Sequence, residues 1–141
     1  MGTELTVTVS AIFLALALWH FRMALKPATG ASGAVPSING KPVFVPSKLS
    51  TVVVGVVLLS FAALVAITGG LLPLALPRTA AVWLSYGLAV GLLARAIGEF
   101  KYVGFFKRVR SSRFAELDSL VYSPLCLMLS GGVALVALQN G

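Results

Sequence analysis

Leu49-Ser50-Thr51-Val52-Val53-Val54-Gly55-Val56-Val57-Leu58-Leu59-Ser60-Phe61-Ala62-Ala63-Leu64-Val65-Ala66-Ile67-Thr68-Gly69-Gly70-Leu71-Leu72 runs without a single charged side chain. About 20 mainly apolar residues suffice for an α-helix to cross the hydrocarbon layer of a bilayer. A helix also satisfies its own backbone hydrogen bonds, which lipid cannot do. Outward from this stretch three more segments qualify: Leu5 to Leu25, Thr79 to Phe100 and Ser119 to Leu138. Strands of a membrane barrel would alternate apolar and polar residues over about 10 positions, and these segments do not. The sequence therefore predicts an all-α integral membrane four-helix bundle. It forms a single transmembrane domain, with connections over residues 26–48 and 101–118. Ser47 is a plausible cap for the second helix and Ser112 for a turn leading into the fourth. Pro77 suits the start of the third, because a first turn leaves its missing N–H unneeded.

Composition agrees. Of 141 residues 58% are hydrophobic and 11% charged, with a mean hydropathy of +0.98. Soluble domains run at about 45–50% apolar and about 25% charged, and so short a soluble chain could not bury such a surplus in one core. One cysteine, Cys126, excludes an internal disulfide, and one histidine, His20, argues against a His-rich metal centre. No metal or cofactor is expected.

The net charge of +7 raises the question of nucleic acid, and the distribution of the charges answers it. Ten of the eleven Lys and Arg residues flank the first and third connections; Arg78 alone lies on the other side. The positive-inside rule puts those two connections in the cytoplasm and both termini outside. The N-terminus also lacks the basic stretch of a cleavable signal peptide, so the first segment is expected to remain as a span. The first connection is rich in Gly, Pro, Ser and Ala, with Asn39-Gly40 as a tight turn.

The third connection carries the most distinctive motif. It reads Arg95-Ala96-Ile97-Gly98-Glu99-Phe100-Lys101-Tyr102-Val103-Gly104-Phe105-Phe106-Lys107-Arg108-Val109, then Arg113-Phe114-Ala115-Glu116-Leu117-Asp118 and Tyr122-Ser123-Pro124-Leu125-Cys126-Leu127. Together with Val35-Pro36 and Gly40-Lys41-Pro42-Val43-Phe44-Val45-Pro46-Ser47 upstream, this resembles a family of small four-span bacterial membrane proteins known only as a domain of unknown function. The resemblance covers roughly Val35 to Leu129. It implies the bacterial cytoplasmic (inner) membrane and supplies no activity.

Alternating direction brings His20, Arg95, Glu99, Asp118 and Tyr122 to one boundary, as a candidate polar cluster. Arg95 and Glu99 are four apart and can pair on one helix face, in a row continued by Trp83, Gly87 and Gly91. That row offers a neighbouring helix a close approach. Two readings compete: a pocket floor with Arg95 holding an anion and Glu99 moving a proton, or a self-neutralised pair locking two helices. His20 is either a proton shuttle or an interfacial residue satisfied by a backbone carbonyl. Asp118 either takes part in chemistry or simply favours a helix start through the dipole. Cys126 reads as a small packing residue.

On a helical wheel Tyr102, Phe105, Phe106 and Val109 oppose Lys101, Lys107, Arg108 and Arg110. This predicts an interfacial amphipathic helix, with Lys101, Lys107, Arg108, Arg110 and Arg113 touching anionic phospholipid headgroups. Nucleic acid is excluded as a partner, since spans crowd the segment on both sides. The expected function is a non-enzymatic membrane module. It binds lipid or a hydrophobic small molecule, or assembles with a further copy or another membrane protein, at the cytoplasmic leaflet. The alternative is a membrane-embedded enzyme acting on a lipid-like substrate, with Glu99 or Asp118 as acid/base. A transporter is disfavoured, because the ionisable groups gather at one end instead of the midplane.

Overall fold

The computed structural model describes residues 2–26 and 34–141. Part of the first connection, residues 27–33, lies outside them. Four long helices make up the fold: α1 (Gly2–Leu25), α2 (Lys48–Thr68), α3 (Arg78–Ile97) and α4 (Arg113–Asn140). All four are long and apolar enough to cross a membrane. A two-residue hairpin, β1 (Ser37–Ile38) and β2 (Lys41–Pro42), precedes α2. Its turn uses Asn39 (φ 50°) and Gly40 (φ 75°), the pair of positive φ angles that an Asn-Gly hairpin turn requires.

The caps explain where the helices begin. Ser47 Oγ accepts from the Ser50 N–H at 3.0 Å, and Ser112 Oγ accepts from the Ala115 N–H at 3.1 Å. At α3, the Ala81 N–H donates to the Pro77 carbonyl. Boundaries differ from the sequence expectation: the first helix starts at Gly2 instead of Leu5, and the second ends at Thr68 instead of Leu72. The third helix stops at Ile97, short of Phe100, and the fourth starts at Arg113, well before Ser119.

Within α4, Asp118–Tyr122 form a π-helical turn, in which the Ser123 N–H reaches back to the Asp118 carbonyl. Pro124 follows at once. A proline inside a helix lacks the N–H for the carbonyl four residues earlier and crowds it sterically. A widened turn beside the proline absorbs that mismatch.

The bundle is two antiparallel pairs, α1 with α2 and α3 with α4. Glycines set the close approaches. A Cβ at Gly55 would lie 2.6 Å from the Phe21 ring, and one at Gly69 would collide with Thr6. Gly132 faces Val9 across the α1/α4 seam. Gly87 and Gly91, by contrast, have no neighbour within reach of a Cβ and lie exposed. The row expected to receive another helix receives none among the described residues.

Phe13, Val65, Val133 and Val136 are fully enclosed at the centre, and Phe13 meets Phe61 edge-on with centroids 5.8 Å apart. Toward the end holding both termini, Thr68 donates to the Leu64 carbonyl (2.9 Å) and lies 2.9 Å from Ser85 Oγ. Arg78 Nε donates to the Asn140 carbonyl at 2.7 Å, placing a cation at the C-terminus of α4 where the helix dipole favours it. Large apolar side chains such as Leu18, Leu49, Trp83, Val90, Leu120 and Met128 cover the outside. That inverted surface matches a hydrocarbon solvent.

Candidate functional site

The site is built at the end of the bundle where α1 and α3 finish and α4 begins. Its foundation is the connection over residues 98–112, which is not the amphipathic helix the sequence predicts. Gly98 (φ 89°) and Gly104 (φ 91°) adopt backbone conformations closed to most side chains. The chain folds back on itself between them. A Cβ on Gly98 would collide with the Val103 carbonyl, and one on Gly104 with the Ile97 carbonyl. The Phe105 N–H donates to the Ala96 carbonyl at 2.9 Å, and the Val109 N–H to the Lys101 carbonyl at 2.9 Å. The wheel pattern fails because two crossing glycines outweigh helical periodicity.

Three charged groups meet inside this fold-back. Asp118 is wholly buried. Its Oδ1 accepts from Arg95 Nη2 at 2.9 Å, and its Oδ2 from the Gly104 N–H at 2.7 Å and Lys107 Nζ at 3.0 Å. Lys107, which the sequence assigns to the lipid surface, is only 2% exposed. It is an interior residue. Its three N–H bonds go to Asp118, to the Gly104 carbonyl (3.1 Å) and to Ser119 Oγ (2.6 Å), so its donor capacity is filled. The reason is electrostatic: a carboxylate taken out of water on α4 needs a cation more than a lipid phosphate does.

Arg95 is placed differently. Its side chain is 35% exposed, and Nη1 is enclosed with no hydrogen-bond partner. Two cations thus face one carboxylate, leaving an excess of one positive charge. Arg95 does not pair with Glu99. Because α3 ends at Ile97, Glu99 leaves the helix face, lies exposed and accepts from the Tyr102 N–H at 3.3 Å.

Beside Arg95 a cleft of about 430 Å³ opens between α1 and α4, lined by Leu16, Trp19, His20, Met23, Ala34, Arg95, Phe114, Val121, Tyr122 and Leu125. Most of the lining is apolar. Phe114 and Tyr122 form one wall, their rings 5.8 Å apart. His20 Nδ1 lies 2.7 Å from the Leu16 carbonyl; a carbonyl only accepts, so that nitrogen carries the donated proton. His20, Met23 and Ala34 also border a second cavity of about 370 Å³ beneath Phe44, Pro46 and Thr51.

Of the candidate cluster, His20, Arg95 and Tyr122 share the cleft and Asp118 stands behind Arg95. Glu99 stays apart. Lys101, Arg108, Arg110 and Arg113 lie exposed at the same end; Lys101 sits over the Tyr102 ring at 4.9 Å, and Arg110 Nε donates to the Lys107 carbonyl at 3.1 Å. Among the described residues no three His, Cys, Asp or Glu side chains come together. Gly98, Gly104 and Lys107 are the structural keys that the motif held unread.

Residues 13–133 match the model of a family described as a protein of unknown function, DUF3995. The chain belongs to the DUF3995 family. The match takes in α2 and α3 whole, the fold-back, both glycines, the Arg95–Asp118–Lys107 cluster and every residue lining the cleft. No curated protein and no solved structure matches this DUF3995 chain.

Proposed function

We propose that this DUF3995 protein is a multi-pass protein of the bacterial cytoplasmic membrane that binds an amphiphile from the inner leaflet, without enzymatic chemistry. In this reading the end carrying the fold-back faces the cytoplasm and both termini lie outside. It rests on ten of the eleven Lys and Arg residues flanking the two connections at that end. The exposed Phe100 and Phe106 sit at the acyl boundary, with Lys101, Arg108, Arg110 and Arg113 at the headgroups.

The observation that carries the binding reading is the cleft itself. Its volume of about 430 Å³ falls in the range of about 300–1,000 Å³ typical of small-molecule sites, and it combines apolar walls with a few convergent polar groups. In the proposed orientation it falls at the level where a lipid's head meets its chain. A role as acid or base finds no support in the geometry. Glu99 is outside the cleft, and both oxygens of Asp118 are engaged.

Native mass spectrometry of gently extracted protein tests this reading. The wild type is expected to retain an amphiphile, and Leu125→Trp, which fills the cleft, to lose it while remaining folded. Equal retention by both proteins would refute the assignment of the cleft.

A further inference from the structure

We infer that the amphiphile in the α1/α4 cleft carries a single anionic oxygen group, a phosphodiester or a carboxylate, seated on the guanidinium of Arg95. The inference rests on the proposed amphiphile-binding role and narrows it to a class of headgroup. Three observations converge.

The first is charge. Among the described residues Asp118 is the one carboxylate paired with Arg95 and Lys107, so the cluster retains one uncompensated positive charge beside a largely apolar cleft. One negative charge completes it, and a second would be left unmatched. A further observation is the donor inventory. Lys107 has spent its N–H bonds on three acceptors, whereas Arg95 uses Nη2 on Asp118 and leaves Nη1 enclosed without an acceptor. Enclosed donors without partners are uncommon in native proteins, and a bound acceptor is one standing explanation. Guanidinium also suits the paired oxygens of a carboxylate or phosphodiester better than an ammonium does, because its nitrogens form a fixed fork.

Position supplies the third observation. Among the described residues Arg95 is the one cation lining the cleft, and Leu16, Met23, Val121 and Leu125 contribute to its apolar wall. The anionic head and the chain of one ligand are thereby served by adjoining surfaces. Asp118 has a positioning role here. By holding Nη2, it fixes the plane of the guanidinium and hence where Nη1 points.

The test measures a ratio. Purified full-length protein in a non-ionic detergent is equilibrated with dioleoyl phosphatidylglycerol, oleate, dioleoyl phosphatidylcholine or dioleoylglycerol, and retention is read by native mass spectrometry. Wild-type protein should retain at least one anionic probe about tenfold over the zwitterionic and neutral ones, a difference that corresponds to one decade in affinity. Whether phosphatidylglycerol or oleate leads identifies phosphodiester or carboxylate as the source. Arg95→Gln keeps a donor for Asp118 but removes the excess charge. It should bring the anionic probe down to the neutral level while dioleoylglycerol binding persists, which also reports an intact cleft. Leu125→Trp should abolish retention of every probe.

Equal retention of anionic and neutral probes by the wild type would overturn the headgroup assignment and leave the amphiphile reading standing. An anionic preference that survives in Leu125→Trp would also overturn it, since the charge recognised would then be the outer basic belt. If the wild type retains no probe that Leu125→Trp fails to retain, the amphiphile reading itself falls.

Discussion

Asp118 is the residue on which the basic end of the molecule turns. It joins α3 through Arg95, the fold-back through the Gly104 amide and Lys107, and α4 through its own backbone. Removing one member of a buried ion pair strands the other without water, which costs about 3–5 kcal/mol. Lys107→Ala should therefore lower the thermal stability of the detergent-solubilised protein severely. Glu99→Gln, which changes an exposed side chain, should stay within about ±0.5 kcal/mol. The contrast checks the reassignment of partners, because a true Arg95–Glu99 pair would reverse the ranking. Sequence reading reached Arg95 and Asp118 as members of one boundary but matched Arg95 with its neighbour in the helical register. Spacing of four residues was a sound local rule; it failed because the helix ends between the two. Lys107 was misplaced for a related reason. A cation three residues from the Gly104 amide is recognisable as interior only once the backbone is known to reverse there.

At the scale of elements, the fold-back shows what glycine contributes. Gly98 and Gly104 touch each other's strands of backbone, and both need positive φ. Gly104→Ala should lose about 1–3 kcal/mol through backbone strain alone, with the collision against the Ile97 carbonyl adding to it. Gly87→Ala places its methyl in open space and removes helix-interior flexibility, so a change between zero and a gain of about 1 kcal/mol is expected. Equilibrium unfolding of the two variants side by side checks both values. The positions of the four helices were legible because apolar runs of this length have few alternatives. The Ser47 cap of α2 was legible too, whereas Ser112, read as capping a turn ahead of the fourth helix, caps α4 itself. The end of α3 and the form of the third connection were hidden. Aromatic and basic residues there alternate at a helical period, and only the two glycines speak against it. The long run of α4 through Asp118–Tyr122 was equally hidden, because a wide turn ahead of Pro124 has no periodic signature.

For the whole molecule, the α1/α2 and α3/α4 pairs create one sheltered interior and one asymmetric end. Hydrophobic patterning could not foresee the cleft, since Leu16, Met23, Val121 and Leu125 read as ordinary lipid-facing or packing residues until α1 and α4 are set beside each other. The proposed orientation has its own test. In a Cys126→Ala background, Ala75→Cys should react with a membrane-impermeant maleimide in intact cells, whereas Ser111→Cys should react only after the inner face is opened. Labelling in the opposite order would invert the proposed topology.

The direction of pairing at Asp118 also bears on biogenesis. Arg95, Gly104 and Lys107 all precede Asp118 in the chain, so each leaves the ribosome before the carboxylate it will hold. The acidic residue of the last helix thus arrives at cations already synthesised, so the cluster can close as soon as α4 is made.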